Sequence, residues 1–72
     1  MREISIEQEP IELCKLLKLG NLVSCGGDAK AEIAEGKVLV NGEVETRKRR
    51  KIVFGDIVEY GNQQLKVVAG SE

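Results

Sequence analysis

Seventy-two residues suffice for one small domain, whose core is marginal because a chain this short buries only about 60% of its unfolded surface. Hydrophobic residues make up 42% and charged residues 32%, which excludes a disordered chain, and apolar runs of at most three residues exclude a membrane helix of ~20. A formal net charge of −1 and the absence of histidine argue against a generally basic nucleic-acid binder, the usual Ser-His and Cys-His catalytic pairs and the commonest metal ligand.

In chain order, Ile4 and Ile6 alternate with Ser5 and Glu7, the period of a short strand. No apolar stretch of signal-peptide length follows Met1, so the expected compartment is the cytoplasm. Pro10 suits the first position of a helix, with Glu9 and Glu12 near its positive end. Leu13, Leu16 and Leu17 give that helix one apolar stripe, and Gly20 is its expected stop, so helix one is predicted over residues 10–19. A second helix is predicted from about Ser24–Gly27 to just before Gly36, with Ala29 and Ile33 facing inward. Its small residues allow close approach to helix one, as in a helix-turn-helix pair.

Lys37 opens a strand through Val38, Leu39 and Val40 that ends in an Asn41-Gly42 turn. A two-residue turn there pairs Val40 with Glu43 and Leu39 with Val44, and no register puts every apolar residue on one face. The expectation is therefore an irregular, exposed loop over residues 43–51. Ile52, Val53 and Phe54 are expected to return to the core before a Gly55-Asp56 turn. Residues 57–60 and 63–68 read as a hairpin pairing Tyr60 with Gln63, Glu59 with Gln64 and Val58 with Leu65. The last three residues read as a frayed tail. The fold class is α+β: two short helices packed on a small, mainly antiparallel sheet.

Charge is unevenly spread. Residues 1–12 carry a net −3, residues 13–36 balance, residues 37–51 carry +4 and residues 52–72 carry −2. The five consecutive cations Arg47, Lys48, Arg49, Arg50 and Lys51 stand out. With a screening length of ~8 Å, a ligand there feels the cluster and not the whole-molecule charge. Such a run is either a solvated loop or a polyanion site. Mutual repulsion favours the polyanion site, because a phosphate chain relieves it and releases counterions. Arginine forks match phosphate oxygens in bidentate fashion.

Other residues carry two readings each. Gly26-Gly27 either cradles an anion on helix N–H groups or lets the link approach helix one. Lys30, one turn on, either reaches that anion or is simply solvated. Asn41 either serves only turn geometry or hydrogen-bonds a phosphate or ribose. Cys14 and Cys25 are too few for a disulfide framework or, without histidine, a zinc site, and are expected as thiols in or near the core of a protein from a reducing compartment. No nucleophile motif, phosphate loop or paired carboxylates point to an enzyme, a cofactor or a metal. Two aromatic residues are too few for a base-stacking platform.

The order Cys25-Gly26-Gly27-Asp28-Ala29-Lys30, then Ile33-Ala34-Glu35-Gly36-Lys37-Val38-Leu39-Val40-Asn41-Gly42, then Gly55-Asp56-Ile57-Val58, resembles the RNA-binding domain of the ribosomal protein S-four type. The resemblance covers about residues 11–68 and looks closest to stand-alone bacterial members of the YbcJ and YaaA type. It implies an alpha-L RNA-binding motif, a single domain over residues 1–72, no catalysis, and structured RNA, ribosomal or other non-coding, as the partner. By matched position it implies that Gly27, Lys30, Lys37, Asn41 and the basic loop face the RNA. Many family members carry a cation in the first turn of the second helix, where this chain has Gly26, Gly27 and Asp28, leaving backbone contact there. The resulting expectation is a non-enzymatic protein that grips RNA phosphates through helix two and residues 47–51, with no membrane partner. Replacing Arg47, Arg49 and Arg50 by Ala is expected to weaken binding without unfolding. The alternative is a module whose basic loop docks an acidic protein partner.

Overall fold

A computed structural model describes residues 2–70. Its elements are β1 (Arg2–Ile6), β2 (Ile11–Glu12), α1 (Leu13–Leu19), α2 (Gly26–Ala34), β3 (Val38–Val40), β4 (Glu43–Val44), β5 (Lys51–Ile52), β6 (Ile57–Tyr60) and β7 (Gln63–Ala69). The main sheet has the order β1-β7-β6-β3-β4, and β2 pairs separately with β5. Only the β1–β7 pair is parallel among the described strands, so the mainly antiparallel α+β architecture stands.

Strand alternation builds the core. Tyr60 faces Gln63, Glu59 faces Gln64 and Val58 faces Leu65, the register expected from the sequence. Val40 then falls opposite Val58, and Ile4 opposite Val67. These residues are buried and share one face, as alternate positions on neighbouring strands must. The two helices cover that face. Leu13, Leu16 and Leu17 of α1 and Ala29 and Ile33 of α2 are fully buried against it, together with Ile52.

The helix ends differ from expectation. α1 begins at Leu13 and not at Pro10, because Ile11 and Glu12 are extended and pair with Ile52 and Lys51. Its stop is a left-handed residue, but that residue is Asn21, at φ 60°. Leu22 N–H donates to the Leu17 carbonyl at 3.0 Å and Asn21 N–H to the Lys18 carbonyl at 3.1 Å, which is a Schellman closure. Gly20 keeps an ordinary φ of −82°. It is glycine for lack of space: a Cβ there would lie 2.7 Å from Leu65 Cδ1 and 3.3 Å from Ile4 Cδ1. α2 closes in the same Schellman pattern through Gly36, at φ 79°.

The β3–β4 hairpin is only two residue pairs long, Leu39 with Val44 and Val40 with Glu43. Its brevity has the reason read from the sequence, since Val44 is left 61% exposed. The loop that follows is not wholly irregular or exposed: Glu43, Val44 and Lys51 sit in short strands, and Glu45 is buried. Of residues 52–54, only Ile52 returns to the core. Val53 and Phe54 stay exposed, because Val53 N–H is held by Asp56 Oδ2 (3.0 Å) in the turn at Gly55. Cys14 is buried in the core, whereas Cys25 is exposed at the α2 N-cap and fills no apolar gap. Gly70 is tied by its N–H to the Ile6 carbonyl at 2.7 Å, and the rest of the expected tail lies outside the described residues. No described helix is long and apolar enough to cross a membrane.

Candidate functional site

The basic run is fixed by its own backbone. α1 has no side-chain N-cap. Instead Leu13 N–H donates to the Arg50 carbonyl at 2.9 Å and Cys14 N–H to the Lys48 carbonyl at 3.1 Å. The loop therefore satisfies two of the amide groups that every helix start leaves open. Lys48, Arg49 and Lys51 keep their side chains in solvent.

Glu45 organises the other two cations. It is only 6% exposed and accepts four hydrogen bonds. Arg47 donates from its backbone N–H (2.9 Å), from Nε (2.9 Å) and from Nη2 (3.1 Å), and Arg50 donates from Nη1 (2.7 Å). The Arg47 guanidinium, then the Arg47 amide and then Arg50 hold the Glu45 carboxyl down at about 2, against the opposing effect of burial. The same contact raises the pKa of Arg47. Five adjacent cations are thus partly compensated from beneath, which answers the repulsion that the sequence poses.

Lys30, Ala31 and Ala34 of α2 face residues 46–51 across an open groove of about 840 Å³. Lys30, Lys48, Arg49 and Lys51 have no carboxylate partner among the described residues. The expected meeting of helix two with the basic loop is therefore present, around one groove.

The other expected residues do not line it. Lys37 is engaged by Glu35 (3.1 Å) and Glu32 (3.6 Å), which raise its pKa, with the Glu35 hydrogen bond first among the causes. Tyr60 donates to the same Glu32 at 2.6 Å, and that bond raises the pKa of its phenol. Asn41 is left-handed at φ 53°, as its turn requires. Its Nδ2 donates to Asp56 Oδ1 (3.1 Å) and its Oδ1 accepts from Ile57 N–H (3.0 Å), so its side chain ties two turns together. Gly27 is exposed in the first turn of α2, with only Cys25 Sγ (3.8 Å) near an added Cβ. Gly26 has nothing within 4 Å, so close packing on helix one does not account for the pair. Ser24 Oγ donates to Asp28 Oδ2 at 3.0 Å beside them.

Sequence reasoning missed Glu45, Ala31 and Ala34. Ala31 and Ala34 could have been found by carrying the helical spacing on from Gly27 and Lys30. In the sequence Glu45 is only one of the two carboxylates within the net +4 of residues 37–51. Its spacing of two and five residues from Arg47 and Arg50 signals a clamp only once the chain is known to turn there.

Residues 4–68 match the model of the S4 domain. The chain belongs to the S4 domain family. Among its relatives, YbcJ of Escherichia coli (strain K12) is 49% identical over 70 residues, covering 96% of this chain and all of YbcJ; its name assigns it RNA binding provisionally. RlbA of Bacillus subtilis (strain 168), provisionally named a ribosome maturation protein, is 46% identical over 56 residues, covering 78% of this chain and 79% of RlbA. The solution structure of E. coli YbcJ superposes with a TM-score of 0.74 at 48% identity, covering 96% of this chain and 89% of that one. It is described as an αL motif involved in RNA binding. The S4 domain of this chain accordingly has the αL fold.

Proposed function

We propose that this S4 domain binds structured RNA and catalyses no reaction on it. The phosphate backbone is gripped by Lys30 from α2 and by Lys48, Arg49 and Lys51 from the loop, with Arg47 and Arg50 tied to Glu45 beside them. The observation that carries this reading is the meeting of Lys30 with residues 46–51 around one groove. The RNA binding in the name and structural description of YbcJ supports the class of ligand. Ribosomal RNA is the first candidate, because RlbA is provisionally named for ribosome maturation. Such an RNA puts the site of action in the cytoplasm. The amides of Gly26 and Gly27 in the first turn of α2 offer a further phosphate contact. Lys37 and Asn41 serve the scaffold in this reading, since their side chains are already engaged.

The test is the salt dependence of binding to a folded ribosomal RNA fragment. These four cations neutralising about four phosphates give a log K against log salt slope of about −2.8 to −3.6. Heparin or an acidic peptide of equal charge should compete poorly with that fragment. A flat salt response, or equal preference for the acidic peptide, contradicts the proposal.

A further inference from the structure

The groove between α2 and the basic loop has a helix side, its floor, and a cationic loop side. Ala31 and Ala34 are exposed and face the loop, so the helix side of the groove presents methyl groups beside a single cation, Lys30. A phosphate lying on that floor would meet no donor, because amides that far into the helix are spent on the helix itself. Cations line the groove from both sides: Lys30 beside the two alanines, and Arg47, Lys48, Arg49, Arg50 and Lys51 on the loop side. A ligand that fits has a flat, weakly polar body for the floor and negative charge on its flanks. That is the chemistry of an unpaired nucleotide within an RNA strand, with its base in the groove and its neighbouring phosphates on the cations. A volume of about 840 Å³ accommodates it, being of the size of small-molecule clefts, which span ~300–1,000 Å³. Neither aromatic residue lines the groove, but the planar guanidinium of Arg49 can stack on a base.

We infer that this groove is a subsite for one extruded or bulged nucleotide, so that the RNA bound is a helix carrying an unpaired base and not a continuous duplex. The inference rests on the RNA-binding reading above and deepens it.

Two RNAs decide it: a short perfect duplex, and the same duplex carrying one unpaired nucleotide. Seating one base in the groove is expected to make the bulged RNA bind about fivefold tighter, equivalent to about 1 kcal/mol. The salt slopes of the two RNAs are nearly the same. Ala31→Gln and Ala34→Gln lengthen uncharged side chains over the floor at positions where Gln is a good helix former. In the double variant the preference falls below about twofold, while duplex affinity and salt slope persist and the thermal melt certifies folding. Equal, salt-dependent binding of both RNAs overturns the subsite and leaves the RNA-binding reading intact. Failure of both RNAs to bind in a salt-dependent way overturns both. An acidic amphipathic peptide that binds as tightly as the bulged RNA, and is lost in the double variant, overturns the subsite in favour of a protein ligand.

Discussion

Arg50 Nη1 lies 2.7 Å from Glu45 Oε1, so a cation of the basic run is anchored to a buried carboxylate five residues earlier. The same carboxylate binds Arg47 through its backbone and its guanidinium. The loop is thereby a shaped object, with two cations tied to Glu45 and three that have no carboxylate partner among the described residues.

Glu45→Gln removes the anchoring charge and frees Arg47 and Arg50. Two additional mobile cations steepen the salt slope by up to about 1.4–1.8 and raise affinity for unstructured single-stranded RNA. Preference for folded RNA falls, because the free cations no longer hold one geometry. Parallel titrations with a folded and an unstructured RNA of equal length check this. Unchanged slope and preference would show that the clamp does not govern recognition.

The clamp also predicts an acid response. The Glu45 carboxyl is held at about 2 against an ordinary 4.5. A depressed folded pKa contributes stability above the unfolded value, and that contribution is lost as pH falls through the folded value. The Glu45 contribution therefore disappears between pH 4.5 and about 2. Melting temperatures of the protein and of Glu45→Gln should converge across that window; a constant gap contradicts the assignment.

Gly20→Ala should cost about 1–3 kcal/mol, because its Cβ would meet Leu65 and Ile4 inside the core. Gly26→Ala and Gly27→Ala meet no such obstacle, and reduced unfolded-state freedom should make each neutral or stabilising by up to about 1 kcal/mol. Urea unfolding of the three variants separates the cases. If the two helix-start variants also retain full RNA affinity, contact through the first turn of α2 is confined to its amides.

Local patterns carried much of the fold. The β6–β7 register, the apolar stripe of α1 and the inward pair Ala29 and Ile33 followed from spacing, because each depends on residues near one another in the chain. The start of α1 was not legible, since it depends on Ile11 and Glu12 pairing with Ile52 and Lys51, far along the chain. Val53 and Phe54 were read as core from hydrophobicity alone, whereas the Asp56 turn lifts them out. At the site, the cationic loop and Lys30 were visible as charges in sequence. Engagement of Lys37 by Glu32 and Glu35, and of Asn41 by Asp56 and Ile57, required the folded chain. The clamp likewise changes which loop variant is informative. Removing Arg47 and Arg50 strips a buried carboxylate of its partners, so that variant would confound binding with folding.

The decisive experiment replaces Lys48, Arg49 and Lys51 together by Ala and records RNA affinity across a salt series, with Lys37→Ala as the control. These three residues are exposed and have no carboxylate partner among the described residues, so the thermal melt should stay close to that of the unaltered protein. Affinity should drop and the salt slope should flatten by about 2 to 2.7, whereas Lys37→Ala should leave the slope in place. A folded triple variant that keeps its slope, or a Lys37→Ala protein that loses as much, would contradict phosphate binding by the loop.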